Sequence, residues 1–256
     1  MTTLKNRVAL ITGVSRRNGI GFGIANRLAS SGADLFLHSF SPYDKMMSLQ
    51  IENNETELIK KTLCGYDVSV ELMEADFYEQ DSPAKIMTAA VQKFNHIDIL
   101  VLNHTYDTLK KLDELTAEEI DRHLVVNIRA ALLLVQEFVI QYRGKNTGRI
   151  VMLTSGQHLG PMPDLAYVAS KGAIHQLTLS LSDILIEKGI TVNTVNPGPT
   201  KTYDPSPEID EAVLQRMPLG RWGEPDDAAR LIAWLVSDEG YWITGQVINS
   251  EGGFQR

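Results

Sequence analysis

The 256 residues include a single cysteine, Cys64, so no intramolecular disulfide can form and the chain suits a reducing compartment. No run of Lys or Arg stands out against a net charge of −8, which argues against a nucleic-acid partner. The start, "MTTLKNRVALITG", holds too short an apolar run for a signal peptide. No apolar stretch is read as long enough to span a membrane, and "ALLLV" at 131–135 is too short. His38, His96, His123 and His175 show no ligand spacing, so no metal is expected. Repeats, low-complexity segments and linkers are also missing. These absences leave one domain over residues 1–256, expected to be soluble and cytoplasmic, with a small-molecule partner. Apolar residues make up 43 % of the chain, enough for a substantial core.

What is present is alternation. Short apolar runs at 7–12, 34–39, 68–73, 98–103, 149–154, 190–195 and 246–250 read as strands buried on both faces. Helical patterns lie between them near 20–31, 54–64, 81–94, 116–142, 164–188 and 225–237. Thr116-Ala117-Glu118-Glu119 has the form of a capping box, and Glu224-Pro225-Asp226-Asp227 that of a helix start. Strand–helix alternation implies an α/β fold, a doubly wound parallel sheet with helices on both faces.

"TGVSRRNGIGFGIA", 12–25, joins the first strand to the first helix, where a helix N-terminus can meet a phosphate. Gly13 permits a tight turn, and Gly19 and Gly21 let the backbone approach a pyrophosphate. Gly23 or Ala25 would let the helix pack on the sheet. NAD-binding folds usually place an acid after the second strand, on the ribose 2′-hydroxyl. Here that strand ends His38-Ser39-Phe40-Ser41, with no acid. Arg16 and Arg17 offer a partner for a 2′-phosphate, so NADP(H) is favoured over NAD(H).

"MLTSGQHLGPMPDLAYVASKGA", 152–173, carries the chemistry. Ser155 ends a strand at the edge where open α/β sheets bind ligands. Tyr167 and Lys171, four apart, share a helix face. A tyrosine titrating near 10 is a poor acid–base group at neutral pH, and a neighbouring ammonium is expected to lower its pKa. Ser155 would hold a carbonyl oxygen while Tyr167 protonates it. A second Tyr-x-x-x-Lys, Tyr106 and Lys110, lacks the upstream serine and the helical surroundings, and is read as chance.

These segments, with Asp76 in "EADF", "DILVLN", "VVNIRA", "VNTVNPGPTKT", "PLGRWGEPDDAA" and "ITGQVINSEGG", resemble the short-chain dehydrogenase/reductase family nearly end to end. The likeness is greatest to the short single-domain members of 3-oxoacyl-[acyl-carrier-protein] reductase type. It implies a seven-stranded Rossmann-type sheet and hydride transfer from a nicotinamide. By resemblance, Ser155 orients the substrate oxygen, Tyr167 is the acid or base, and Lys171 binds the nicotinamide ribose and tunes the tyrosine. Asn127 supports a proton-relay water, Asp76 contacts adenine, and Thr200 or Thr202, after Pro197-Gly198, the nicotinamide amide. Ser15, Ile20, Ser39 and Asn103 complete the expected cofactor contacts. A homotetramer is implied, with a dimer as the alternative.

The sequence departs from the family pattern in places. Two extra residues lengthen the glycine loop, as in enoyl-reductase relatives, yet those separate Tyr and Lys by six. The family's N-N-A-G reads Leu102-Asn103-His104-Thr105, so His104 and Thr105 replace small residues. His158, Met162 and Leu165 are candidates for the substrate pocket, and 199–219 for a lid over it. The stretch 125–140 is apolar on too many sides for a surface helix, which suggests a subunit interface. The leading reading is an NADPH-dependent reductase of a ketone or 3-oxoacyl group. The rivals are an NAD-dependent alcohol dehydrogenase, an enoyl reductase and a non-catalytic cofactor-binding regulator.

Overall fold

Continuous apolar runs without alternation need cover on both faces, and seven of them become strands of one parallel sheet. The computed structural model describes residues 3–49, 52, 54–144, 148–155 and 162–255. The strands are β1 Val8–Ile11, β2 Asp34–Ser39, β3 Val70–Glu74, β4 Ile99–Leu102, β5 Gly148–Leu153, β6 Ile190–Asn196 and β7 Val247–Asn249. Their order is β3-β2-β1-β4-β5-β6-β7, the expected doubly wound arrangement. The order reverses between β1 and β4, so a crevice opens at their carboxyl ends.

Helices α1 Ile20–Ser30, α3 Glu55–Cys64 and α9 Pro225–Leu235 contribute to one apolar layer, with Ile24, Leu28, Ile59 and Ile232 fully buried. On the other face, α4 Ser82–Phe94, α6 Ala130–Gln141 and α7 Leu165–Leu185 bury Ile86, Leu134 and Ile174. Gly23 faces α9 rather than the sheet: a Cβ there would lie 2.7 Å from Pro225. Arg27 of α1 locks the same contact through Asp226, at 2.6 Å.

Two short helices differ from expectation. α2, Ser41–Met46, and α8, Pro207–Leu214, are too brief to show a period. α8 has start signals nonetheless: the Ser206 hydroxyl accepts from the Ile209 N–H, and Pro207 follows. It stands inside the segment expected as a lid. The base of that segment is tethered, since Lys201 N–H donates to Gly223 O at 2.9 Å and Gly223 N–H to Pro199 O at 3.0 Å.

The helix expected at 116–142 is α5, Ala117–Leu124, then a π-turn, Val125–Arg129, then α6. Thr116 caps α5 through the Glu119 N–H, but the Glu119 carboxylate turns to Thr108 and Lys110, so half the expected box forms. Contrary to expectation, Ala117–Gln141 is long and apolar enough by composition to cross a bilayer. In this fold its apolar side serves the core, packed against α4 and α7.

Candidate active site

The cleft is built on a tight loop. Gly13 adopts φ +73°, and a Cβ there would approach Asn103 Nδ2 and His104 Cα to 2.9 Å. A Cβ on Gly21 would lie 2.4 Å from Gly13 O, so the loop winds closely onto the start of α1. Asn103 fastens it to the end of β4, donating to Thr12 O at 3.0 Å and Gly13 O at 2.9 Å. His38 props it from β2. Its Nδ1 accepts the Gly13 N–H at 3.2 Å and its Nε2–H donates to Ala75 O at 2.9 Å, which fixes a neutral ring stacked 3.9 Å from Phe77. Burial lowers the His38 pKa to about 4.

The resulting cleft has a volume of about 470 Å³ and runs from this loop to the catalytic stretch. Gly13, Ser15, Arg16, Gly19, Ile20 and Gly21 line one end. Asp76 and Asn103 lie on its wall, as do Pro197, Gly198, Thr200 and Thr202. Ser155, Tyr167 and Lys171 lie at the other end.

Three expected residues lie elsewhere. Arg17 points away: its guanidinium holds Glu52 and Glu55, and Glu55 also takes its N–H at 2.6 Å. Ser39 is buried in β2 behind the cleft wall, with its carbonyl on the Ala75 N–H. The Asn127 side chain does not line the cleft: Oδ1 accepts the Tyr106 N–H at 2.7 Å, and Nδ2 donates to Tyr106 O and Ser170 Oγ, each at 2.9 Å. Both amide hydrogens are spent and Oδ1 keeps one lone pair, so that side chain splices the loop after β4 to α7, one turn from Tyr167. Met162 and Leu165 do not line the cleft, and His158 lies outside the described residues.

The acid missing from the end of β2 comes five residues later. Asp44 of α2 is buried and accepts Arg16 Nε at 2.8 Å. His104 fills the place of a small residue without crowding. Its Nδ1 meets Thr12 Oγ1 at 2.7 Å and its Nε2 meets Val126 O at 3.1 Å. The carbonyl can only accept, so Nε2 carries the proton and the threonine hydroxyl donates to Nδ1. Burial keeps that ring neutral. His104 thus ties β1 to a carbonyl of the π-turn.

At the catalytic end the titration differs from the sequence expectation. Tyr167 is pushed up to about 12, mainly by burial, against a hydrogen bond with Ser155 that lowers it. Burial lowers Lys171 to about 8. The Lys171 ammonium donates to Leu153 O at 3.2 Å and stands 5.7 Å from the Tyr167 ring centre, too far to dominate the tyrosine. At neutral pH the tyrosine is therefore a protonated phenol. The sequence reading omits Tyr43 and takes Tyr106 only as a chance match, yet their rings lie 5.6 Å apart in the cleft wall. Pro42-Tyr43-Asp44 after the second strand is the signal that could have drawn attention to α2.

The residues fit a nicotinamide dinucleotide. First-turn N–H groups of α1, the Ser15 hydroxyl and Arg16 offer donors where phosphates would lie. Thr105 Oγ1 is buried in the wall with no hydrogen-bond partner among the described residues. The comparisons agree. The family model described as Enoyl-(Acyl carrier protein) reductase matches residues 13–255. Uncharacterized oxidoreductase YjdA of Bacillus subtilis is 40 % identical, over 100 % of both chains. Hydroxynaphthalene reductase-like protein Arp2 of Metarhizium anisopliae is 33 % identical, over 98 % of this chain and 96 % of its own. A short chain dehydrogenase from Burkholderia cenocepacia, solved in complex with NADP, superposes with a TM-score of 0.87 at 30 % identity, over 98 % of each chain. A crevice at the sheet's switch point, Ser155, Tyr167 and Lys171 along it, and full-length likeness to such oxidoreductases lead to one conclusion: the chain belongs to the short-chain dehydrogenase/reductase family.

Proposed function

We propose that the protein is an NADPH-dependent reductase of a ketone or 3-oxoacyl group, with Tyr167 as the proton donor. The observation that carries this reading is the buried, protonated Tyr167 bonded to Ser155 at the end of the cleft. A bound nicotinamide supplies the hydride. Ser155 donates to the carbonyl oxygen and fixes its place. Tyr167 gives its proton to that oxygen as negative charge develops there. The Lys171 ammonium stabilises the phenolate left behind, which then recovers a proton from solvent. Asn127 positions this assembly by pinning Tyr106 and Ser170. Gly19 to Gly21 receive the pyrophosphate, Asp76 the adenine, and Arg16 the 2′-phosphate that distinguishes NADPH from NADH. The Tyr43 and Tyr106 rings favour a flat cyclic ketone, in keeping with the hydroxynaphthalene reductase-like name of one relative.

Purified protein mixed with NADPH or NADH and a panel of cyclic ketones, 3-oxoacyl thioesters, enoyl thioesters and alcohols tests this. Ketone-dependent oxidation of NADPH is expected. Turnover of enoyl thioesters alone would instead support an enoyl reductase, the reading favoured by the description of the matching family model. Cofactor binding without turnover of any substrate would indicate a regulator.

The assembly we propose is a homotetramer. Its support is apolar surface on α6 and α7, where Ile140, Leu179 and Ile184 are each about 60 % exposed. Val126, by contrast, faces the cleft. Light scattering is expected to give a multiple of 28.4 kDa, and Leu179→Asp to reduce it to one chain.

A further inference from the structure

The loop that would take the cofactor's phosphates already grips an anion of the chain's own. Asp44 accepts Arg16 Nε at 2.8 Å, and the Ser15 hydroxyl bonds the same carboxylate. Arg16 Nη1 is occupied too, by Thr202 O at 2.8 Å and Asn18 Oδ1 at 3.3 Å. The pair is largely out of water, with side-chain exposures of 14 % and 8 %. Next to Asp44, Tyr43 pins α2 to the opposite wall. Its hydroxyl donates to Asp107 O at 2.9 Å and accepts the Asp107 N–H at 3.2 Å. So α2 lies across the cleft, fastened to the glycine loop on one side and to the loop after β4 on the other.

We infer that Asp44 is a resident stand-in for the 2′-phosphate, a specificity-determining residue that competes with it for Arg16 and Ser15. The inference rests on the reading of Arg16 given above. A guanidinium grips a phosphate best through two parallel N–H groups. Along the side edge of Arg16 those are Nε and Nη2, and Nε is taken by Asp44. Along the end edge they are Nη1 and Nη2, and Nη1 is taken by Thr202 and Asn18. A two-pronged phosphate contact therefore requires one of these partners to leave, and the carboxylate is the one that a second anion repels. A neutral 2′-hydroxyl has no such leverage. Asp44 thus lowers the affinity for every ligand that bears a 2′-phosphate by the fraction of time it holds the site.

Adenosine 2′,5′-bisphosphate and adenosine 5′-monophosphate, titrated by calorimetry, test this without catalysis. Asp44→Asn is expected to bind the bisphosphate about tenfold more tightly than the unmodified protein, with the monophosphate unchanged. Tyr43→Phe, which frees α2 from Asp107 and leaves Arg16 and Asp44 in place, is expected to tighten the bisphosphate about two- to threefold. This second variant carries the test if Asp44→Asn does not fold. If neither variant tightens the bisphosphate while Arg16→Ala weakens it, Asp44 orients Arg16 rather than competing, and the inference is overturned. If the unmodified protein binds both nucleotides equally and Arg16→Ala alters neither, the Arg16 reading fails as well.

Discussion

Tyr-x-x-x-Lys occurs twice in this chain, and the two copies meet opposite fates. Tyr167 and Lys171 lie on α7, so four residues make one turn and both side chains reach the same buried cleft. Tyr106 and Lys110 lie in the extended loop after β4, where four residues separate rather than align. Lys110 turns out to Glu119 at 3.1 Å, while Tyr106 turns in and stacks edge-on to His123, 4.9 Å between centres. The interval carries meaning only on a helix. The copies are not independent, however. Asn127 holds the backbone of Tyr106 on one side and Ser170, between Tyr167 and Lys171, on the other.

The sharpest way to test the contrast is to remove each hydroxyl. Tyr167→Phe is expected to lower turnover by about 10²-fold or more with cofactor binding retained, and Tyr106→Phe to change it by less than about threefold. Steady-state rates with nucleotide fluorescence titrations check both, and the reverse ranking would reject the assignment. The lysines should repeat the pattern less steeply. Lys171→Met is expected to cost about 10- to 100-fold in kcat/KM and Lys110→Met almost nothing.

Acidity sharpens the comparison further. Burial lowers Lys171 to about 8, so its ammonium is present at neutral pH and lost above that value. The kcat/KM for reduction should stay level below about pH 8 and then fall about tenfold per pH unit. Tyr167, pushed up to about 12, remains protonated throughout that range and adds no further break. A profile that rises above pH 8 would mean that the proton donor had been misplaced. The smallest effect should come from the link between the copies. Asn127→Ala leaves the buried Tyr106 backbone unpaired, at a cost of about 1–3 kcal/mol and a fall in Tm of roughly 3–10 °C. Calorimetric melting measures it.

The sheet was legible because its strands are apolar without alternation, and α7 because its pattern runs for 21 residues. The glycine loop was legible from its place between β1 and α1. What escaped was set by partners distant in sequence. Nothing near Asn127 says that Tyr106 and Ser170 engage its amide. Gly23 looked like a residue for the sheet until Pro225 was seen against it. The acid expected at the end of β2 stands five residues later, and although the resemblance favours Arg16, no sequence signal shows Glu55 drawing Arg17 away. The tyrosine's acidity depends on how deeply it is buried, and spacing is silent about depth. His38 suggested no role, and His104 only bulk beside the cofactor or a face toward the substrate, because a neutral, doubly bonded imidazole has no local motif.

The clasp between α1 and α9 has a bearing on the order of events during synthesis. Arg27 and Asp226 are 199 residues apart, so the α9 side of the helix that presents the glycine loop is covered only when the far end of the chain arrives. At ordinary elongation rates that is a delay of roughly 10–40 s. During that interval Asn103 and His38 can already hold the nucleotide loop, but the helix behind it lacks the cover of α9. A ribosome-stalled chain ending before Pro225 should therefore retain nucleotide less tightly than the full chain.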